Sequence, residues 1–212
     1  MGKPIGPGLR ERKKLATRAA LSWAAVRLIV ERGYDQVLVE DIAAAAEVSP
    51  RTFNNYFSSK AEAVASRHLD RCLLIAEDLR ERPPGEPLWA AIKQAMLARF
   101  VPGAEVKAHP RPDRDVWAAG LRLMLAVPAV QAETLRAMAT AEAAVAAAVG
   151  ERTGTDPAAD MYPKLVAAAV MAATNVASQQ FVNDRRGAGI EKLLVDALDQ
   201  IAAGLPPPSG GA

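Results

Sequence analysis

Residues 39–57, VEDIAAAAEVSPRTFNNYF, hold two short apolar-periodic segments with three residues between them. Val39, Ile42, Ala43 and Ala46 recur at the spacing of one helix face. Ser49-Pro50 then opens a second helix. A serine hydroxyl can accept from an orphan N–H at a helix start, and proline at the first position gives up only an N–H that has no partner there. Phe53 and Phe57, four apart, give this helix its inward side. Two short helices joined by Glu47-Val48-Ser49 form a helix-turn-helix, whose second helix enters the DNA major groove. With both phenylalanines turned inward, Arg51, Thr52, Asn54, Asn55 and Tyr56 surround the rest of that helix. Asparagine can pair in bidentate fashion with adenine and arginine with guanine, while threonine can bond a base or touch a thymine methyl. The competing reading is an αα-hairpin that happens to expose asparagine.

The flanks favour the first reading. Upstream, Leu9–Arg32 reads as one helix with Leu21, Ala25, Leu28 and Ile29 on a single face, and Gly33 stands where a C-cap belongs. Its first half carries Arg10, Arg12, Lys13, Lys14 and Arg18, either a solvated face or a set of phosphate contacts. The charge split supports contact: residues 1–60 hold 10 Lys/Arg against 6 Asp/Glu, and residues 61–212 hold 16 against 18. A polyanion would be met at the N-terminal end.

Downstream the chain continues as helices. Ser59-x-x-Glu62 matches a capping box and starts a fourth helix that stops at Pro83-Pro84-Gly85. Further helices are expected at about 86–100, 113–126, 128–152, 157–184 and 188–203, with breaks at Pro102-Gly103, Pro110/Pro112, Pro128, Gly154/Pro157 and Gly187/Gly189. Half of the residues are hydrophobic but only 5% are aromatic, so the apolar mass is Ala, Leu and Val, with no sustained strand alternation. The expectation is an all-α chain of about nine helices. Residues 1–8 are a disordered N-terminus, 9–58 a helix-turn-helix head, 59–204 a larger ligand-binding and dimerisation body, and 205–212 a flexible tail.

Several function classes recede. The one cysteine, Cys72, allows no intramolecular disulfide and suits a cytoplasmic chain; beside Leu73 and Leu74 it reads as a small buried hydrophobe rather than a redox sensor. His68 and His109 lack partners at metal-ligand spacing, so no metal or cofactor is expected. No G-x-S-x-G elbow, P-loop or G-x-G-x-x-G occurs, which leaves a small all-α enzyme as a remote alternative. Met1–Gly8 has no apolar stretch of a signal peptide, and Leu165–Ala177 is too short to span a bilayer.

The segment Thr17–Glu62 resembles the N-terminal domain of the TetR (tetracycline repressor) family of bacterial regulators. The resemblance is carried by Thr17-Arg18 with Leu21, Glu31-Arg32-Gly33-Tyr34, Val39-Glu40-Asp41-Ile42-Ala43, Val48-Ser49, Thr52-Phe53, Tyr56-Phe57 and Lys60, in order and at matching spacing. It implies a homodimer with a DNA-binding head and a divergent ligand-binding body. Carried across, it makes Ser49, Pro50, Arg51, Thr52, Asn54 and Asn55 groove-facing, Tyr56 and Lys60 phosphate contacts, and Lys14 and Thr17 neighbours of the DNA backbone. Three departures from the family pattern involve four positions. Val37 and Leu38 replace the threonines that cap the second helix, Glu47 replaces the glycine of the turn, and Asn54 replaces an aromatic. A residue other than glycine at a positive-φ turn costs about 1 kcal/mol, and so does a missing side-chain cap. The head is therefore expected to be locally soft.

In the body, Trp89, Met96, Phe100, Trp117, Leu121 and Met124 lie at roughly helical spacing, as ordinary core or as the lining of an apolar pocket. Ala168, Ala169, Ala172 and Val176, with Leu194 and Leu198 of the last helix, suit a dimer seam, because small side chains let helices approach closely. Asn175, Gln179 and Gln180 fit either pocket or seam. The function expected is a repressor released from a palindromic operator by an apolar or amphipathic effector. The alternatives are a TetR-like activator or an effector-independent regulator.

Overall fold

Gly33 ends the first helix as its position in the sequence requires. Its φ of +89° is free to a residue without Cβ, and its N–H closes on the Ile29 carbonyl at 2.9 Å. The computed structural model describes residues 9–100, 114–183 and 187–207. The expectations for residues 1–8, for the Pro102-Gly103 and Pro110/Pro112 breaks, and for 208–212 of the tail lie outside the described residues. Among the described residues there are nine helices and no strand: α1 (Leu9–Arg32), α2 (Val39–Ala45), α3 (Pro50–Asn54), α4 (Lys60–Glu81), α5 (Leu88–Phe100), α6 (Arg114–Ala126), α7 (Pro128–Thr153), α8 (Tyr162–Asn183) and α9 (Ile190–Ala202). The eighth begins five residues later than its sequence pattern predicts, because residues 157–161 form a turn in which Asp156 binds the Ala158 N–H and Asp160 binds the Asp156 N–H.

The chain divides into two compact units, at different points from the expected boundary after residue 58. The head runs through Arg67 and also takes residues 114–135; the other described residues form the body. The physical reason is apolar. Three helices of this length leave core residues uncovered, and Leu123, Met124 and Val127 pack onto the head core together with fully buried Val130. That core holds Leu21, Ile29, Val37, Ile42, Phe53 and Phe57. Burying the two phenylalanines contributes roughly 1.5–3 kcal/mol each. Between α1 and α4 a buried polar chain is fully satisfied: Ser22 Oγ donates to the Ala63 carbonyl at 2.7 Å, and Ser66 Oγ to the same carbonyl at 2.9 Å.

The body is built on α8, whose Val166, Ala167, Val170, Met171, Ala173, Ala177 and Phe181 are buried and which packs against α9; α9 also meets α5. Gly150 of α7 permits a close return of the chain, since a Cβ there would stand 2.6 Å from the Thr155 carbonyl oxygen. The α4–α5 connection is braced by the Arg82–Glu86 ion pair at 2.7 Å and gathered by a residue far along the chain. The guanidinium of Arg152 donates to the carbonyls of Leu79, Arg82, Pro83 and Glu86 at 2.9–3.2 Å. Arg99 ties α5 to α4 through Asp78. By length and composition α8 could cross a membrane, and 44% of its most apolar window is buried inside the body.

Candidate nucleic-acid interface

The helix-turn-helix is assembled from α2 and α3. Leu38 has the extended backbone of an N-cap residue but offers no side-chain acceptor. The cap is half replaced, because the Asp41 carboxylate accepts the Leu38 N–H at 2.8 Å. The expectation of an uncapped helix is corrected to that extent. In the turn Glu47 takes φ +56°, the left-handed conformation anticipated there, while the Val48 N–H reaches the Ala43 carbonyl at 2.9 Å. Ser49 then caps α3: its Oγ accepts the Thr52 N–H at 3.1 Å and shares a hydrogen bond with Thr52 Oγ1 at 2.9 Å. Two of the groove-facing candidates therefore already hold each other. Pro50, Arg51, Asn54 and Asn55 are exposed on the outer side of α3, and Tyr56 is half-buried against the head core.

Around this pair the basic residues divide. Lys14 is exposed on α1, whereas the Thr17 hydroxyl bonds back to the Lys13 carbonyl at 3.0 Å. Arg18 leans toward α3, its guanidinium 4.6 Å above the Phe57 ring and donating to the Tyr56 carbonyl at 3.4 Å. Lys60, to which the resemblance gives a phosphate role, is turned toward the head's own backbone. Its Nζ donates to the carbonyls of Tyr34 at 2.6 Å and Val37 at 2.8 Å and lies 4.2 Å from the Tyr34 ring centroid. Burial, with the negative charges of Asp35 and Glu133, raises the Tyr34 pKa above its ordinary value. The roles of Arg18 and Lys60 were not legible from residue type, because both read simply as cations near a groove.

The six pocket candidates are not brought together in one unit. Trp89, Met96 and Phe100 belong to α5 in the body, Met96 and Phe100 buried. Met124 belongs to the head, packed against its core, which removes it from a pocket in the body; Leu121 lies half-buried on the same helix, and the side chain of Trp117 is outside the described residues. Polar side chains stand in the body on α4. The guanidinium of Arg71 covers the Phe100 ring at 4.6 Å, and His68 Nε2 lies 3.7 Å from Cys72 Sγ. Burial, aided by Arg71, lowers the His68 pKa to about 4, and burial raises the Cys72 thiol to about 11, so neither group is charged near neutral pH.

The seam candidates divide as well. Ala168, Ala172 and Val176 are exposed and Ala169 half-exposed. Leu165, which sequence reasoning passed over, extends the same stripe at helical spacing, and it and Val176 are each 58% exposed. Leu194 and Leu198 are instead 0% and 2% exposed, buried within the chain's own α8–α9 packing, and are corrected from surface to core. Asn175, Gln179 and Gln180 all face outward, with Gln179 Nε2 donating to Asn175 Oδ1 at 3.3 Å.

Residues 23–65 match the family model described as bacterial regulatory proteins, tetR family, and residues 86–206 match that of the MftR C-terminal domain. The chain is 36% identical over 183 residues to the HTH-type transcriptional regulator TcmR of Streptomyces glaucescens, covering 84% of this chain and 78% of that protein. It is 26% identical to the MftR protein of Mycobacterium tuberculosis, covering 92% and 93%. Among solved structures, a Syntrophomonas wolfei protein assigned to the TetR family aligns with a TM-score of 0.62 at 16% identity, over 92% of this chain and 100% of that one. Thermus thermophilus FadR, a TetR-family repressor solved with lauroyl-CoA, aligns with a TM-score of 0.52 at 18% identity, over 92% and 100%.

Proposed function

Since the chain belongs to the TetR family, and so is a DNA-binding transcriptional regulator rather than an enzyme, we propose that it is a dimeric cytoplasmic repressor that leaves a palindromic operator when a small apolar or amphipathic effector binds its body. The observation that carries this reading is the outer side of α3. Phe53 is fixed in the head core and Ser49 caps the helix, so Arg51, Asn54 and Asn55 are presented together on an ordered element. Those side chains are suited to base edges. Pro50 and Tyr56 border them, and Lys14 at the start of α1 meets the phosphates beside the groove.

A second copy of the chain seats on the α8 stripe of Leu165, Ala168, Ala169, Ala172 and Val176, with Asn175 and Gln179 as polar groups of the seam. Two-fold pairing of heads then fits half-sites one helical turn apart. The effector occupies the interior of the body beside Trp89, Met96 and Phe100. Binding shifts the population toward a head spacing that no longer matches successive major grooves.

The test is a mobility shift on duplex DNA from upstream of the chain's own gene, repeated over a range of salt. Binding is expected to weaken with a slope of about −0.9 in log K against log salt for each neutralised phosphate. Absence of binding to this and to randomised DNA at low salt would defeat the reading. A ligand screen read by melting temperature follows, in which an effector at 100 times its dissociation constant adds about 2.7 kcal/mol. Release of DNA by that compound marks a repressor, and tightening marks an activator.

A further inference from the structure

We infer that Lys60 is a positioning residue for the helix-turn-helix, holding the start of α2 in place, and not a phosphate contact; the inference rests on the DNA-binding reading above. Lys60 is the first residue of α4. A cation is disfavoured at a helix N-terminus, where the helix dipole is positive. Here that charge is met from the opposite side. The segment 34–37 joins α1 to α2, and both of its end carbonyls turn to the Lys60 ammonium, Tyr34 O at 2.6 Å and Val37 O at 2.8 Å. The Tyr34 ring adds its negative face, 4.2 Å from Nζ to the centroid. An ammonium has three donors. Two are spent inside the head, on carbonyls of the very segment that decides where α2 begins.

The need for such a clasp is visible next to it. Leu38, the N-cap residue of α2, has no side chain with which to fix the helix start. Val37 is wholly buried, so its backbone is anchored on one side by apolar packing and on the other by Lys60. From that anchored point α2 leads through the strained Glu47 turn into α3. The register of the reading helix is thus inherited from the 34–37 segment, and Lys60 acts on DNA through it.

The experiment uses the full-length chain and a duplex enriched on the wild-type protein from a randomised pool. K60M keeps the length and apolar stem but removes the donors; K60R restores them. For K60M the inference expects binding about ten- to a hundredfold weaker, in line with the loss of two charge-assisted hydrogen bonds. The salt slope should stay that of wild type, and without DNA the amides of residues 38–46 should exchange faster, with protection in α8 and α9 unchanged. K60R should recover most of both losses. A slope shallower by about 0.9 with unchanged exchange would make Lys60 a phosphate contact and overturn the inference. So would exchange that quickens throughout the body, or no change in either readout. Should K60M not fold, Y34L removes the ring face alone and is expected to give the same pattern at smaller size; unchanged exchange at 38–46 there overturns the inference equally. A wild-type chain that enriches no duplex defeats the DNA-binding reading itself, while the exchange comparison still reports on the clasp.

Discussion

The outer sides of α3 and α8 are opposites. On α3 the apolar side chains are fixed in the head core and what faces outward is Arg51, Asn54 and Asn55; on α8 the outward stripe is Leu165, Ala168, Ala172 and Val176. Hydrogen-bonding groups that water can solvate cost nothing to leave exposed until a better partner arrives. Exposed leucine and valine in a row give up that solvation cost only when covered. The first surface is therefore suited to a polar partner met reversibly, and the second to a permanent apolar one. The two demands also explain the difference in scaffold. A five-residue helix and its C-cap residue suffice to display three side chains when a serine cap and two buried phenylalanines fix them, whereas the apolar stripe on α8 runs over about three helical turns from Leu165 to Val176.

The strongest way to break this contrast is to charge the α8 stripe. A172E should place an unpaired carboxylate in the seam at a cost of several kcal/mol, so sedimentation at micromolar concentration should show wild-type dimer and mutant monomer. Wild-type monomer under those conditions would remove the seam. Next in size is a test of the interior behind the surfaces. His68 has a folded-state pKa of about 4 against an ordinary value of 6.5. Between those pH values the unfolded chain binds the proton and the folded chain does not, so stability falls as pH drops through this window, by up to about 3 kcal/mol. Denaturation curves at pH 7 and pH 4.5 should converge for H68Q relative to wild type; parallel loss in both would assign the acid sensitivity elsewhere. On α3, N54A or N55A should cost roughly 1–3 kcal/mol at the operator and relax the base preference at one position. Binding-site selection on each mutant checks this, and unaltered preference in both would shift specificity to Arg51. The smallest effect is expected at the turn. E47G should relieve the left-handed strain by about 1 kcal/mol and slow amide exchange over residues 39–57 of the free protein. Removing a negative charge near DNA would tighten binding as well, but it would leave that exchange as it was.

The head was largely legible because local rules decide it. The caps, the turn and the Phe53/Phe57 pair all act within a few residues, and periodicity placed α1 and α2 to within a residue of where they stand; α3 starts where expected but ends at Asn54, so Phe57 packs on the head core from just beyond the helix. What escaped were interactions between segments far apart in sequence. Nothing local says that Lys60 turns to carbonyls 23 and 26 residues upstream, or that Met124 and Val130 complete the head core. In the body the same limit appears at α9, where Leu194 and Leu198 have the spacing of an interface helix. An apolar stripe records only that it will be covered, and here α8 of the same chain covers it. On α8 itself the small residues pointed to the outer side, but the turn at 157–161 hid where the helix starts.

Arg152 has a bearing on how such a chain can be rebuilt. One carbonyl at the end of α4 and three of the α4–α5 connection converge on that one guanidinium, some seventy residues away in sequence. A hybrid regulator whose crossover fell after the α4–α5 connection would inherit the α4 end from one parent and the arginine from the other. Unless the foreign sensor supplies an equivalent arginine, the crossover would leave those carbonyls without the guanidinium that gathers them, and only the connection's own Arg82–Glu86 pair to hold its path. The natural place to cut is therefore upstream of the connection, so that the loop and the residue that reads it travel together.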